Sequence, residues 1–150
     1  MPHTYINCLA HYVFSTKGRA NLIPREVLPR LWAYLGGIAR ENAMKALAVG
    51  GTQNHVHMLV SLPATLSLSK AIQLIKGGSS KWLHDTFPAC ESFAWQEGYG
   101  AFTIGISAVA DTIDYIARQD EHHRTRTFEE EFIAFLKRHD MEYDERFVWG

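Results

Sequence analysis

The chain has 150 residues, of which 47% are hydrophobic and 21% charged, as in an ordinary globular protein. This length suits one core, so we expect residues 1–150 to form a single domain. No apolar run reaches the ~18 residues that span a bilayer, the N-terminus does not resemble a signal peptide, and the two cysteines lack metal-site or disulfide spacing. We therefore expect a cytoplasmic protein without a membrane segment. The net charge of −1 does not favour nucleic-acid binding. A net charge does not show how the charges are distributed, so a locally basic face is still possible.

Hydrophobic periodicity predicts an alternation of strands and helices. In chain order it predicts a strand at 4–16, a helix at 23–44, strands at 46–52 and 54–62, a helix at 66–87, a strand at 93–105 and helices at 107–123 and 127–139. The last helix begins at a capping candidate, Thr127, with Glu130 three residues later. The order β-α-β-β-α-β predicts an α+β, ferredoxin-like antiparallel sheet with helices on one face, followed by two C-terminal helices. The second face of the sheet would then be free for a site or a partner.

Two histidines stand one residue apart in the stretch "QNHVHMLVSL". Because side chains alternate along a strand, His55 and His57 project to one face while Val56 and Met58 project to the other. Two imidazoles about 7 Å apart can converge on one metal ion. Half-exposed histidines on a solvated sheet face would give the same pattern, and a third ligand has to come from elsewhere in the fold.

A late helix offers further polar groups. Tyr115 lies off the apolar stripe of that helix, and Gln119 lies one turn later on the same flank, where its amide could bind a metal. A surface tyrosine is the alternative. His122 falls on the Tyr115 flank, although either His122 or His123 also suits the end of a helix.

Taken together, the H-x-H of "NHVHMLVSLP" and the Y-x-x-x-Q of "YIARQDEHH" resemble the single-tyrosine HUH transposases. This family includes the insertion-sequence-200-like transposases and the REP-associated tyrosine transposases. The likeness extends to "HYVFSTKGR", "LIKGGSSKWL", "WQEGYGAFTI" and the C-terminal stretch that begins "HHRTRTFEEEF". It therefore runs along most of the chain.

The resemblance implies a ferredoxin-like transposase that acts on single-stranded DNA. His55 and His57, with Gln119 as the third ligand, would bind Mg²⁺ or Mn²⁺, and Tyr115 would attack a phosphate to form a 5′-phosphotyrosine. It also implies recognition of hairpin element ends and a homodimer, in which the catalytic helix of one chain can complete the site of the other. Residues 105–109 would then be the hinge.

Candidate phosphate contacts are Lys17, Arg19, Lys76 and Lys81. His11 would be a core residue or face the DNA. For Tyr99, which lies between two glycines, we expect a structural role. Two other functions stay open: a domesticated DNA-binding or regulatory protein of the same fold, and a metal-dependent phosphoesterase that uses water.

Overall fold

Four strands and five α-helices make up the part of the chain, residues 3–149, that the computed structural model describes. The strands are β1 (Cys8–Ser15), β2 (Lys45–Gly51), β3 (His55–Leu62) and β4 (Gly100–Thr103). The helices are α1 (Leu28–Glu41), α2 (Leu68–Thr86), α3 (Val109–Ala117), α4 (Gln119–His122) and α5 (Phe128–Arg138). Within residues 3–149, none of the helices combines the length and the apolar character that crossing a bilayer requires.

The sheet has the strand order β2-β3-β1-β4, and every neighbouring pair is antiparallel. This topology confirms the predicted α+β, ferredoxin-like fold. The histidine strand β3 is central, so His57 pairs with Val13 of β1 on one side and with Gly50 of β2 on the other. Neighbours on both sides hold the two histidines in a fixed register.

One face of the sheet carries the main hydrophobic core. The β3 residues that alternate with the histidines, Val56 and Met58 among them, are fully buried on this face against α1 and α2. The helices contribute apolar residues at helical spacing: Leu31, Leu35 and Ile38 from α1, and Ala71, Ile72 and Ile75 from α2. This face is the one that the alternation of β3 predicts.

The second face of the sheet is covered, which corrects our expectation that it would be free. Phe128, Phe135 and Leu136 of α5 pack there against Val13 and Phe102. The predicted capping box at the start of α5 forms, and it ends the loop that brings this amphipathic helix back to the sheet. The apolar face of α5 is thus buried within its own chain.

Two predicted elements are shorter than expected. The helix at 107–123 breaks at Arg118, whose φ of −105° and ψ of 27° are not helical, so Tyr115 and Gln119 lie on different helices. The strand at 93–105 reduces to β4, because the chain turns at Gly98 with a φ of 82°, and only Trp95 makes an isolated bridge before that turn.

Candidate active site

His55 and His57 are fully buried on the second face of the sheet, with ring centroids 5.1 Å apart. Helix α5 lies over them, and the ring of Phe128 stacks on His55 at 4.5 Å. The structure therefore excludes the alternative that the two histidines are half-exposed on a solvated sheet face. Buried histidines need polar partners, and those partners define the site.

The proton of His55 is on Nδ1. The Asn54 side chain donates from Nδ2 to the carbonyl of Arg19 at 3.2 Å, which turns its amide oxygen toward His55 Nδ1 at 2.8 Å. Because an amide oxygen only accepts, Nδ1 is the donor and Nε2 presents its lone pair. Burial is the main reason that the pKa of His55 falls to about 3, so the ring is neutral at pH 7.

Several acceptor atoms converge on the lone pair of His55. Its Nε2 lies 2.9 Å from the amide oxygen of Gln119, whose NH₂ group donates to the Tyr115 carbonyl at 3.4 Å. The two facing atoms are both acceptors and have no proton to share. A ligand nitrogen each from His55 and His57 and a carboxylate oxygen of Glu131 all lie within 4.8 Å of one another. Converging nitrogen and oxygen lone pairs suit a divalent cation, so these residues fit the expected metal.

His11 supports the second histidine. Its Nε2 lies 2.8 Å from His57 Nδ1, while His57 Nε2 lies 3.0 Å from Glu131 Oε1. Burial, with a smaller contribution from His57, lowers the pKa of His11 to about 3, so His11 is a neutral partner that orients the His57 ring. His11 is thus a core residue of the site.

Glu131 of α5 is the residue that sequence reasoning missed. It is fully buried; Oε1 faces His57, and Oε2 accepts a hydrogen bond from the Tyr115 hydroxyl. Burial alone would raise the pKa of this carboxyl, but hydrogen bonds with His123 and His57 bring it well below its usual range. A signal was present in the sequence: Glu131 lies three residues after Phe128 and four before Phe135, on the apolar stripe of its helix.

The two adjacent histidines after α3 have different surroundings. His55, His57, Gln119 and Glu131 form the candidate metal-ligand cluster. His123 Nε2 lies 3.1 Å from the Gln119 amide oxygen and 3.3 Å from Glu131 Oε1, so His123 borders this cluster. His122 lies on the Tyr115 flank, as the helical spacing predicts, and its ring stacks on Tyr115 at 4.4 Å.

Tyr115 is half-buried beside the candidate ligands, with its ring 5.8 Å from that of His57. Its hydroxyl donates to Glu131 and accepts a 3.4 Å hydrogen bond from Arg126 Nη2. Burial first, and the hydrogen bond with Glu131 second, raise the pKa of Tyr115 to about 12. The phenol is therefore protonated at neutral pH, and a positive charge has to favour its ionisation.

The candidate phosphate contacts are dispersed. Arg19 lies near the site and pairs with Glu129 at 3.2 Å, with the exposed Lys17 two residues before it. Lys76 and Lys81 lie on α2, across the sheet from Tyr115. Lys76 donates to the carbonyls of residues 96 and 98, and Lys81 pairs with a neighbouring carboxylate on α2. A role in DNA binding stays a prediction for all four.

Comparison with known proteins gives matches along most of the chain. The family model described as "Transposase IS200 like" matches residues 4–119. The transposase for insertion sequence element IS200 of Salmonella typhimurium is 28% identical over 129 residues, which are 83% of this chain and 84% of that protein. The ISDra2 transposase TnpA of Deinococcus radiodurans is 22% identical over 116 residues, or 74% of this chain and 83% of that protein.

Two solved structures share the fold. A chain of Deinococcus radiodurans R1 assigned as a transposase superposes with a TM-score of 0.62 at 22% identity, covering 79% of this chain and 96% of that chain. A REP-associated tyrosine transposase bound to a REP hairpin superposes with a TM-score of 0.57 at 17% identity, covering 82% of this chain and 73% of that chain.

Proposed function

This chain belongs to the family of IS200-like transposases, and we propose that it cleaves and rejoins single-stranded DNA through a 5′-phosphotyrosine formed on Tyr115. The observation that carries the proposal is the contact of the Tyr115 hydroxyl with Glu131, whose other oxygen faces His57. A phenol held against a cluster of buried metal-ligating atoms is the arrangement that an activated tyrosine nucleophile needs.

The ligands that we assign to the metal are His55, His57, Gln119 and Glu131, and the ion would be Mg²⁺ or Mn²⁺. Carboxylate and amide oxygens suit both ions, and imidazole nitrogens favour the softer Mn²⁺. When bound, such an ion polarises the scissile phosphate and stabilises the charge that develops on its oxygens. Asn54 and His11 orient the two imidazoles from behind, at 2.8 Å each.

The reaction is a transesterification. A bond forms between the Tyr115 oxygen and phosphorus, the bond from phosphorus to the 3′ oxygen breaks, and the proton lost by the phenol is matched by the proton that the freed 3′-hydroxyl gains. The phosphodiester energy is kept in the protein–DNA bond, so that the strand can be joined elsewhere. A water nucleophile would lose that energy.

We infer from the family that the substrate is a hairpin element end and that two chains form a homodimer. One structural relative was solved with a REP hairpin bound, which supports the first inference through the shared fold. A cytoplasmic location remains a prediction as well.

The test is an assay for covalent adducts. The protein is mixed with end-labelled single-stranded hairpin oligonucleotides from the DNA that flanks its gene, with Mn²⁺ or with EDTA, and is then denatured. We expect a labelled protein band with Mn²⁺ that disappears with EDTA, in Tyr115→Phe and in His55→Ala.

The matched control is Tyr99→Phe, which removes a partly exposed hydroxyl elsewhere in the chain and should leave the band unchanged. Cleavage that survives in Tyr115→Phe would identify a phosphoesterase that uses water. Binding without any adduct, by a folded protein that has bound metal, would instead favour a domesticated DNA-binding protein.

A further inference from the structure

A polar cavity of about 550 Å³ lies beside the metal-ligand cluster. Its lining comes from three segments: residues 19–28 after β1, the turn 52–54 before β3, and residues 120–129 between α4 and the start of α5. Four arginines line it, Arg19, Arg25, Arg124 and Arg126, against two carboxylates, Asp120 and Glu129. In a chain of net charge −1, this arginine cavity is a local concentration of positive charge.

The wall of the arginine cavity is shared with the candidate active site. Asn54, whose amide oxygen holds His55 Nδ1, lines the cavity, and so does His123, which contacts Gln119 and Glu131. Phe128, stacked on His55, also belongs to both. One layer of side chains therefore separates the cavity from the metal-ligating atoms.

Arg126 connects the arginine cavity to the nucleophile. It lines the cavity, and its Nη2 donates to the Tyr115 hydroxyl at 3.4 Å. The backbone carbonyl oxygen of Arg126 lies 3.0 Å from His123 Nδ1. This contact fixes the backbone of Arg126 relative to the ligand cluster. A guanidinium has five donors in a planar fork, so contact with the phenol leaves other N–H groups for a phosphate.

We propose that the arginine cavity binds the sugar–phosphate backbone of the DNA strand that Tyr115 attacks, and that Arg126 is a catalytic residue that contacts both the scissile phosphate and the phenol. The proposal rests on the function proposed above and names the path of the substrate at that site. A cavity of this volume accommodates a group the size of a nucleotide. Arginine forks match phosphate oxygens in bidentate geometry, and a fixed guanidinium stabilises the negative charge that builds up on the phosphoryl group during attack.

The four arginines are not equivalent. Arg19 is engaged by Glu129 at 3.2 Å and lies over the Trp149 ring at 4.7 Å, so a phosphate would have to compete with these contacts. Arg25 and Arg124 are exposed, and neither makes an ion pair with a carboxylate within residues 3–149. These two are the arginines with which we expect the flanking phosphates to pair.

Binding of the strand is tested without cleavage, in Tyr115→Phe protein. A fluorescent single-stranded hairpin oligonucleotide from the flanking DNA is titrated in Mn²⁺ over a series of salt concentrations. The slope of log K against log salt is negative, and each lost phosphate contact reduces its magnitude by about 0.7. We expect Arg25→Gln combined with Arg124→Gln to weaken binding and to make the slope less negative by about 1.4, while Arg40→Gln, at the far end of α1, leaves both affinity and slope unchanged. Equal affinity and equal slope in the double variant would overturn the cavity as the DNA site.

The role of Arg126 is tested in protein with intact Tyr115 and saturating oligonucleotide. We expect Arg126→Gln to slow adduct formation about 100-fold or more, with Arg126→Lys intermediate, while the thermal midpoint stays near that of Arg40→Gln. An unchanged rate in Arg126→Gln would overturn its catalytic role. If the unsubstituted protein forms no adduct, the proposed function and the catalytic role of Arg126 both fail, whereas the salt titration still decides whether the cavity binds DNA.

Discussion

Glu131 brings its two carboxylate oxygens to two different groups. Oε1 lies among the histidine nitrogens and Oε2 accepts the hydrogen bond of Tyr115, so one side chain connects the proposed metal site to the proposed nucleophile. Full burial makes this coupling strong, because no water competes for either oxygen. A fully buried carboxylate of the candidate site is thus supplied by α5.

We predict that Glu131→Gln weakens Mn²⁺ binding about tenfold or more. The substitution keeps the size of the side chain and removes the negative charge that a divalent ion needs. Isothermal titration with Mn²⁺ measures the change. Glu130→Gln is the control, because Glu130 is exposed and glutamine also completes a capping box. Equal affinities of the two variants for Mn²⁺ would show that Glu131 is not a metal ligand.

From the burial of His11 and His55 we predict how the free energy of unfolding depends on pH. The pKa of His11 and of His55 is lowered from 6.5 to about 3 by burial, so the unfolded chain binds protons that the folded chain does not. Below pH 6.5 the free energy of unfolding should therefore fall, by up to about 1.4 kcal/mol per pH unit for each histidine, until about pH 3. The lowered pKa of Glu131 also makes the free energy of unfolding fall with pH, but only below about pH 4.5, where the carboxyl of the unfolded chain takes up a proton.

Urea denaturation in EDTA at pH 7, 6 and 5 measures this dependence. We expect His11→Gln to reduce the loss of stability between pH 6 and 5, and His3→Gln, which changes an exposed histidine, to leave it unaltered. Stability that is constant from pH 7 to 5 would contradict the burial of neutral imidazoles.

At the scale of elements, α3 and β2 approach each other closely. A Cβ added to Gly50 would lie 2.6 Å from the carbonyl oxygen of Ile116, which is backbone and cannot move alone. Ile116 is buried at this contact, whereas Ile113, three residues earlier on the same helix, is 36% exposed. Gly50 thus sets how near the Tyr115 helix lies to β2, at the position where β2 pairs with His57 of β3.

We predict that Gly50→Ala destabilises the protein by about 1–3 kcal/mol and reduces adduct formation, because α3 must move away from the sheet. Urea unfolding and the adduct assay measure the two effects. Gly77→Ala provides the comparison: nothing lies within 4 Å of a Cβ at Gly77, so alanine in this α2 position should stabilise by up to about 1 kcal/mol. A Gly50→Ala protein as stable and active as the original would show that α3 is not tightly docked.

At the scale of the whole molecule, one chain brings together both histidines, the tyrosine and Glu131. The contacts of Tyr115 with Glu131 and of Glu131 with His57 lie within a single chain. An exchange of α3 alone between two chains would break the contact of Tyr115 with Glu131, and an exchange of α3 together with α5 would break the contact of Glu131 with His57. The homodimer predicted from the family is compatible with this arrangement only if the site of each chain stays within that chain.

We predict that mixing inactive Tyr115→Phe protein with inactive His55→Ala protein restores no adduct. Co-expression of the two variants and purification through two different tags isolates mixed dimers. The adduct assay then measures whether the mixed dimers form the protein–DNA bond. Adduct recovered in the mixed preparation would show that the tyrosine of one chain serves the histidines of the other.

Local patterning was enough to predict much of this protein. The β-α-β-β-α-β order follows from hydrophobic periodicity, and the common face of His55 and His57 follows from strand alternation, because both depend on neighbours along the chain. Spacing also placed Tyr115 near Gln119, although the helix between them breaks at Arg118.

Tertiary structure decided the remainder. The covered second face, the entry of Glu131 into the ligand cluster and the grouping of arginines from residues 19, 25, 124 and 126 all depend on where α5 docks. An amphipathic helix shows from its sequence which face it will bury, but not the surface against which it will bury it. That surface is supplied by Val13 and Phe102, more than 25 residues away along the chain, and only folding brings them under α5.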